Sequence, residues 1–97
     1  MAFMQIIEMH TKKFDELKKL DDEWEKATEG ERTLQRSIVA RDRKDPDRYI
    51  LLAFFDSYES AMENSNLPKT TEFAEKQVAL LDGPPTFTDL DIIDDRS

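Results

Sequence analysis

The sequence has no cysteine, only two glycines and a single histidine. Without cysteine the chain can form no disulfide and offers no thiolate to a metal ion, which suits a reducing cytoplasm. The N-terminal segment has one short apolar stretch and no basic region before it, so we expect neither a signal peptide nor a membrane span. The sequence therefore predicts a cytoplasmic protein.

Net positive charge is also lacking, because the chain carries a formal net charge of −8 and its Lys and Arg residues are scattered among acids. Such a surface would repel phosphate groups, so nucleic acid is not expected as a partner. The apolar residues nevertheless come in periodic blocks, which distinguishes the chain from a disordered one. A length of 97 residues is enough for one modest core, so we predict a single domain over residues 1–97.

Four apolar segments have the pattern of β-strands. They alternate between apolar and polar residues, or are continuously apolar, and they are bounded by polar or turn-forming residues. The predicted strands cover residues 3–11, 33–43, 48–56 and 86–93. Alternation places Phe3 and Met9 on one side of the first strand and Met4 and Ile6 on the other. It also places Leu34 on the same side of the second strand as Arg36, and it predicts a half-buried fourth strand. Helical segments separate the first strand from the second and the third from the fourth, so the chain is predicted to have an α+β architecture.

The helical segments are recognised by apolar residues at steps of three and four. The first runs from Phe14 to Ala27. The second begins after Asp56, which is predicted to cap it, and breaks at residues 64–68. A further helix over residues 69–81 ends before Gly83 and the two prolines that follow it. Its spacing predicts a buried side that includes Val78.

The third strand is apolar at every position from Tyr49 to Phe55, which is typical of a strand buried on both faces. One layer of helices covers only one face, so Ile50, Leu52 and Phe54 would be left facing water. Burying each of them is worth about 1.5 to 3 kcal/mol, a large total against a domain stability of about 5 to 15 kcal/mol. We therefore predict a homodimer that covers this open face.

The element order, the segment FFDSYESA at the end of the third strand and the late segment GPPTFTDLDII resemble the antibiotic biosynthesis monooxygenase-like family of dimeric α+β barrels. The resemblance spans nearly the whole chain. It implies a ferredoxin-like βαββαβ fold, with a four-stranded antiparallel sheet that packs face to face with its copy in a homodimer. The fold alone does not define a reaction, because one fold hosts many activities.

The resemblance also implies a ligand pocket between the sheet and the helices of each subunit. It places this pocket among Trp24, Phe55, Tyr58 and Met62. Trp24 could stack on an aromatic ligand and donate its indole N–H, although its helical spacing equally explains it as a core residue. Haem-degrading relatives use an asparagine on the first strand and a histidine on the later helix. This chain has neither, so haem degradation is not expected and no cofactor is predicted.

Two further polar residues are candidates for the pocket. Arg36 lies on the mostly apolar side of the second strand, where a charge needs a partner or a ligand anion. The alternatives are an ion pair with Asp89 or Asp91 of the fourth strand, or a side chain that extends to solvent at a sheet edge. His10 is the only imidazole available as a base or ligand, although the end of a strand equally suits a solvent-exposed residue.

Other site types lack their signatures. The acidic run from Asp21 to Glu25 has no loop glycine and no EF-hand spacing, so its helical setting predicts a solvated face. The loop from His10 to Lys13 has neither glycine nor arginine to cradle the phosphate of an acylphosphatase-like ligand. No phosphate-binding glycine loop, Ser-His-Asp set or metal motif occurs, so no metal site is predicted.

Two functions remain open. The first is binding of a small apolar or aromatic molecule between sheet and helices, followed by cofactor-independent oxygenation, a reaction in which the substrate activates oxygen in a dry cavity and few catalytic side chains are needed. The second is a non-catalytic ligand-binding or dimerisation module, which the absence of an obvious acid–base pair favours. No catalytic residue is assigned.

Overall fold

Four strands and three helices follow one another along the chain in the computed structural model, which describes residues 2–97. The strands are β1 (Phe3–His10), β2 (Arg36–Arg41), β3 (Arg48–Phe55) and β4 (Thr86–Asp91). The helices are α1 (Phe14–Ala27), α2 (Tyr58–Ser65) and α3 (Pro68–Ala79). The predicted order of elements is confirmed, including the break in the second helical element.

The strands form one sheet in the order β2-β3-β1-β4, and all neighbouring strands are antiparallel. β1 and β2 both pair antiparallel with β3, so they run in the same direction with β3 between them. This is the split arrangement of a ferredoxin-like sheet. The predicted four-stranded antiparallel sheet is therefore confirmed.

One face of the sheet, called here the covered face, packs against the helices. The register places Phe3 opposite Phe55 and Met9 opposite Tyr49 on this face. Side chains from α1 and α2 complete the core, whose buried apolar members are Phe3, Met9, Leu17, Tyr49, Ala53, Phe55 and Ala61. The ring of Phe14 stacks on that of Tyr49 with centroids 4.3 Å apart, which fixes the start of α1 on the sheet.

The opposite face, called the open face, is also apolar. Alternation along the strands gives it Met4, Ile6, Ile38, Ile50, Leu52 and Phe54, all of them half-buried by their own neighbours on the sheet. The helices lie on the covered face, so no element among residues 2–97 packs over the open one. The expectation that Ile50, Leu52 and Phe54 face away from the helices is confirmed.

β2 is shorter than predicted, and this changes the side on which Leu34 lies. The strand begins at Arg36 rather than residue 33, so Leu34 precedes it. Leu34 packs against the core around Phe3 and Phe55, whereas the register puts Arg36 opposite Phe54 on the open face. The prediction that Leu34 and Arg36 share one side was wrong, because strand alternation does not extend into the preceding loop.

Two predictions of burial were also wrong. β4 is exposed at every position, and Phe87 is 58% exposed, because this strand lies at an edge of the sheet with β1 as its sole partner there. Val78 of α3 was predicted to be buried and is 49% exposed. Helical spacing identified the apolar side of α3, but the sheet beneath that side does not extend far enough to cover Val78.

The ends of α2 and α3 are set by local chemistry. Ser57, not Asp56, caps α2, since its Oγ accepts a hydrogen bond from the Ser60 N–H at 3.1 Å. Asp56 instead accepts a hydrogen bond from Gln35 Nε2 at 2.5 Å. α3 starts at Pro68, at a position where the missing N–H would have no helical partner. No helix within residues 2–97 is long and apolar enough to cross a bilayer.

Candidate ligand cavity

A cavity of about 520 Å³ lies between the covered face of the sheet and helices α1 and α3. Its floor is apolar and comes from the strands, through Ile7, Leu51, Ala53, Phe55 and Phe87. Its apolar walls come from the two helices, through Leu20, Trp24, Phe73 and Ala74. Small-molecule sites in proteins have volumes of about 300 to 1,000 Å³, so this cavity has the size and lining of such a site.

Trp24 stands in the wall between the two helices. Its position on α1, one turn after Leu20 and two turns after the buried Leu17, turns the side chain toward the sheet. The indole Nε1–H donates a hydrogen bond to Thr70 Oγ1 of α3 at 3.1 Å. The ring is therefore held in place across the helix pair, and what it offers a ligand is its aromatic face rather than its N–H.

Charged residues on the rim of the cavity are largely paired within the chain. Arg32 Nη1 donates to the backbone oxygen of Glu25 at 2.5 Å, and Arg32 Nη2 lies 3.8 Å from the carboxylate of Glu25. Gln5, which also lines the cavity, donates from Nε2 to Asp89 Oδ1 at 2.9 Å. These contacts leave the rim polar but almost neutral.

Asp21 is the exception on the rim. It is half-buried, lines the cavity, and has no hydrogen bond or ion pair to any other residue within 2–97. Burial raises the pKa of its carboxyl above the ordinary 3.8, and the charges of Asp22 and Glu25 raise this pKa further, against the opposing charge of Lys18. The lining of the cavity therefore includes a carboxylate that has no counter-ion of its own.

The interpretation of the acidic run as a wholly solvated face was wrong for Asp21. Asp22, Glu23 and Glu25 are exposed, but Asp21 lies four residues after the buried Leu17 and three before Trp24. Residues at these spacings share one helical face. Counting the helical period through the acids would have assigned Asp21 to the apolar side.

Asn64 is a second polar residue of the lining, and it lies at the break in the second helical element, where loops often line pockets. It is 7% exposed, and its Oδ1 accepts the backbone N–H of Thr33 at 3.2 Å. The Thr33 hydroxyl in turn donates to the backbone oxygen of Ser60 at 2.5 Å. Asn64 therefore ties the end of α2 to the loop that leads into β2, which shapes this end of the cavity.

Comparison with known proteins identifies the fold. No protein-family model matches the sequence, and no curated protein matches it significantly. Solved structures do match: a cofactor-independent oxygenase from Streptomyces nogalater has a TM-score of 0.82 at 10% identity, with 97% of this chain and 95% of that one covered. A Caulobacter crescentus protein provisionally described as an antibiotic biosynthesis monooxygenase has a TM-score of 0.82 at 12% identity, covering 96% and 91%. This chain has the antibiotic biosynthesis monooxygenase fold.

A protein from Mycobacterium tuberculosis shares this fold at a TM-score of 0.80 and 18% identity, with both chains covered completely. Identities this low show a common fold and do not carry a reaction from one protein to another, because one fold hosts many chemistries. The fold expected from the resemblance is confirmed, while the activity has to be argued from the cavity itself.

Within the antibiotic biosynthesis monooxygenase fold of this chain, three of the six predicted ligand-binding residues line the cavity. Trp24 and Phe55 do so from the wall and the floor. Arg36 does so from the edge of β2, while the Cζ of its guanidinium lies 5.8 Å from the centre of the Phe54 ring. Its alternative ion pair with the acids of β4 was wrong, because β2 and β4 are the two opposite edges of the sheet.

The other three predicted residues lie elsewhere in the fold. Tyr58 packs edge-on against Phe3 with ring centroids 5.6 Å apart, and Met62 packs against the same core cluster. His10 lies at the end of β1, where its Nε2 is 3.7 Å from Asp45 Oδ2. Their roles in ligand binding stay predictions, and the cavity is lined without them. Among residues 2–97, no group of three or more His, Asp or Glu side chains is placed to hold a metal ion.

Proposed function

We propose that this protein is a cytoplasmic homodimer of the antibiotic biosynthesis monooxygenase family. Each subunit binds a small, largely apolar aromatic molecule between its sheet and its helices and oxygenates it without a cofactor. The observation that carries this proposal is the cavity of about 520 Å³, with its apolar floor and with the Trp24 ring held in its wall. A flat aromatic ring matches such a lining, because aromatic faces stack on one another.

The chemistry needs an electron-rich substrate rather than a protein-bound oxidant. An anthrone is one example. One atom of dioxygen becomes the new carbonyl oxygen of the ring, and the other leaves as water with the two hydrogens of the oxidised carbon. The substrate supplies the electrons, so the protein has to bind it, orient it and exclude water. The cofactor-independent oxygenase from Streptomyces nogalater, which has the same fold, supports this assignment.

The open face supports the proposed dimerisation. Its half-buried apolar side chains lie in a continuous patch, with Ile6 opposite Leu52 and Ile38 on the other side of Leu52. Exposed apolar patches of this kind mark association surfaces. A second copy of the chain presents the same patch and is the partner that a two-fold symmetric contact requires.

The test is oxygen consumption by the purified protein with a panel of hydroquinones and anthrones. A filled-cavity variant, Ala74→Phe, should abolish turnover, since Ala74 lines the cavity. The matched control is Ala79→Phe, an exposed alanine on the same helix that is not part of the lining. Turnover that persists in Ala74→Phe, or that is absent from the wild-type protein across the panel, would contradict the oxygenase proposal.

A non-catalytic ligand-binding module is the second candidate, and one observation favours it. The lone histidine, His10, lies outside the cavity, so no imidazole is available there for acid–base chemistry. Quenching of Trp24, the only tryptophan, by a hydroquinone that is not consumed would support this candidate. Loss of that ligand's binding in a folded Trp24→Ala variant, measured by equilibrium dialysis, would place the ligand beside this ring.

A further inference from the structure

The lining of the cavity contains four ionisable side chains, and three of them have partners. Glu25 and Arg32 contact each other, and Arg36 packs over the ring of Phe54. Asp21 alone has no hydrogen bond, ion pair or aromatic contact of this kind within residues 2–97, although it is half-buried beside Leu20 and one turn before Trp24. The Asp21 carboxylate therefore lies beside the aromatic wall of the cavity, and its oxygens accept no hydrogen bond from residues 2–97.

A carboxylate in such a position constrains what the cavity accepts. Partial burial takes it out of water, and an ionised group loses solvation there unless a donor replaces the water. A ligand hydroxyl supplies that donor, and hydrogen bonds to a charged acceptor are stronger than neutral ones. A ligand carboxylate would instead bring a second negative charge next to the first and would be repelled.

We propose that Asp21 is the proton acceptor of the cavity, which selects neutral hydroxyl-bearing aromatic rings over aromatic carboxylates. This inference rests on the proposed function, because it requires that an aromatic ligand occupies the cavity. The Asp21 carboxylate accepts a hydrogen bond from a phenolic or enolic hydroxyl and then its proton. The ligand O–H bond breaks, an O–H bond forms on Asp21, and the electron pair stays on the ligand oxygen. The resulting anion is the electron-rich species that reacts with dioxygen.

The charges around Asp21 make it a better base. On its own helix Asp22 and Glu25 raise the pKa of the carboxyl and Lys18 lowers it, while burial is the largest cause of the rise. The cavity-lining residues of α3 and β1 are uncharged. Of the two arginines in the lining, Arg32 contacts Glu25 and Arg36 lies over the Phe54 ring. A carboxyl with a raised pKa lies closer to a phenol, whose pKa is about 10, and so removes its proton more readily.

The experiment compares two probes of similar shape, naphthol and naphthoate, by isothermal titration calorimetry near neutral pH. The wild-type protein should bind naphthol in preference to naphthoate. Asp21→Asn keeps the shape of the side chain and removes its charge, so naphthol affinity should fall by roughly tenfold and naphthoate affinity should rise. Asp22→Asn is the matched control, because Asp22 is exposed and paired with Lys18 on the solvent side of α1. This variant should keep the wild-type preference.

Preserved discrimination in a folded Asp21→Asn protein would overturn the role of Asp21 and leave the cavity proposal standing. Binding of neither probe by the wild-type protein would overturn both. A second readout needs no ligand: the fluorescence of Trp24 should change with pH as the nearby Asp21 carboxyl titrates above its ordinary range, and this transition should vanish in Asp21→Asn and persist in Asp22→Asn. A transition that is unchanged in Asp21→Asn would contradict the proposal.

Discussion

On the covered face of the sheet, Phe3 and Phe55 are 2% and 5% exposed, whereas Met4 and Phe54, one position away on the same strands, remain half-buried on the open face. The two faces differ little in apolar character and greatly in what lies over them. Apolar alternation therefore identifies a face that needs cover without identifying the element that covers it. On the covered face the helices of the same chain do so, and on the open face the proposed cover is a second copy of the chain.

The largest expected effect belongs to the covered face. Phe3→Ala removes a ring that packs against both Phe55 and Tyr58, and it should lower the free energy of unfolding by about 3 to 5 kcal/mol per chain. Because the cover comes from the same chain, this loss should be independent of protein concentration in denaturant unfolding. A loss that grows on dilution would show that Phe3 contributes to association instead.

The open face should respond differently. Leu52→Lys puts a charge at the centre of the apolar patch, opposite Ile6, and forgoes about 1.5 to 3 kcal/mol per chain. The dimer dissociation constant should rise at least about a hundredfold, because both copies lose the contact. Sedimentation at micromolar concentration measures it. Val78→Lys, at an exposed apolar residue of α3, should leave association unchanged, and equal effects of the two variants would contradict the proposed interface.

The polar end of the open face should give a smaller, pH-dependent effect. Backbone N–H groups of Lys44 and Asp45 and the side chain of Arg48 hydrogen-bond to Asp42 and lower its pKa below 3.8. Asp42 therefore contributes stability above pH 3.8 that is lost as the pH falls through its folded-state pKa. Arg48→Gln should shrink this acid-dependent loss, followed as the Tm between about pH 2 and pH 7. An unchanged pH profile would show that the two backbone N–H groups are enough to lower the pKa of Asp42 without Arg48.

The smallest expected effect lies at Asp21, on the covered side. Its raised pKa means that its contribution to stability is fully present below the unfolded pKa of 3.8 and is lost as the pH rises through the folded pKa. Asp21→Asn should therefore raise the Tm at neutral pH, with a gain of less than about 1 kcal/mol in the free energy of unfolding. The substitution should have no effect in acid. A decrease in Tm at neutral pH would indicate a stabilising partner for the carboxylate. A gain in stability joined to a loss of ligand binding is typical of a functional residue.

Much of the fold could be predicted because the strands have unambiguous periodicity. Alternation assigned Phe3 and Met9 to one side of β1 and Met4 and Ile6 to the other, as the structure has them. The continuous apolar run of β3 likewise predicted that both of its faces need cover. The errors arose where the strand has not yet begun, as at Leu34 before β2, or where no other element packs over the strand, as at the edge strand β4.

The cavity was harder to predict, because its members come from distant parts of the chain. Helical spacing turned Trp24 toward the sheet, but the hydrogen bond to Thr70 that orients its ring joins residues 46 apart in sequence. Asp21 was hidden within an acidic run whose other members are exposed. The break in the second helical element draws attention to Asn64, but the hydrogen bond that its Oδ1 accepts from the Thr33 backbone N–H joins distant residues that no local pattern relates.

β1 lies between β3 and β4, so the strand synthesised first pairs with the strand synthesised last, and the Ile92 N–H reaches back to the carbonyl oxygen of Ala2 at 2.9 Å. During synthesis the apolar strand β1 therefore keeps one hydrogen-bonding edge vacant until β4 has emerged from the ribosome. Until β4 pairs with it, that edge is open to pairing with another chain.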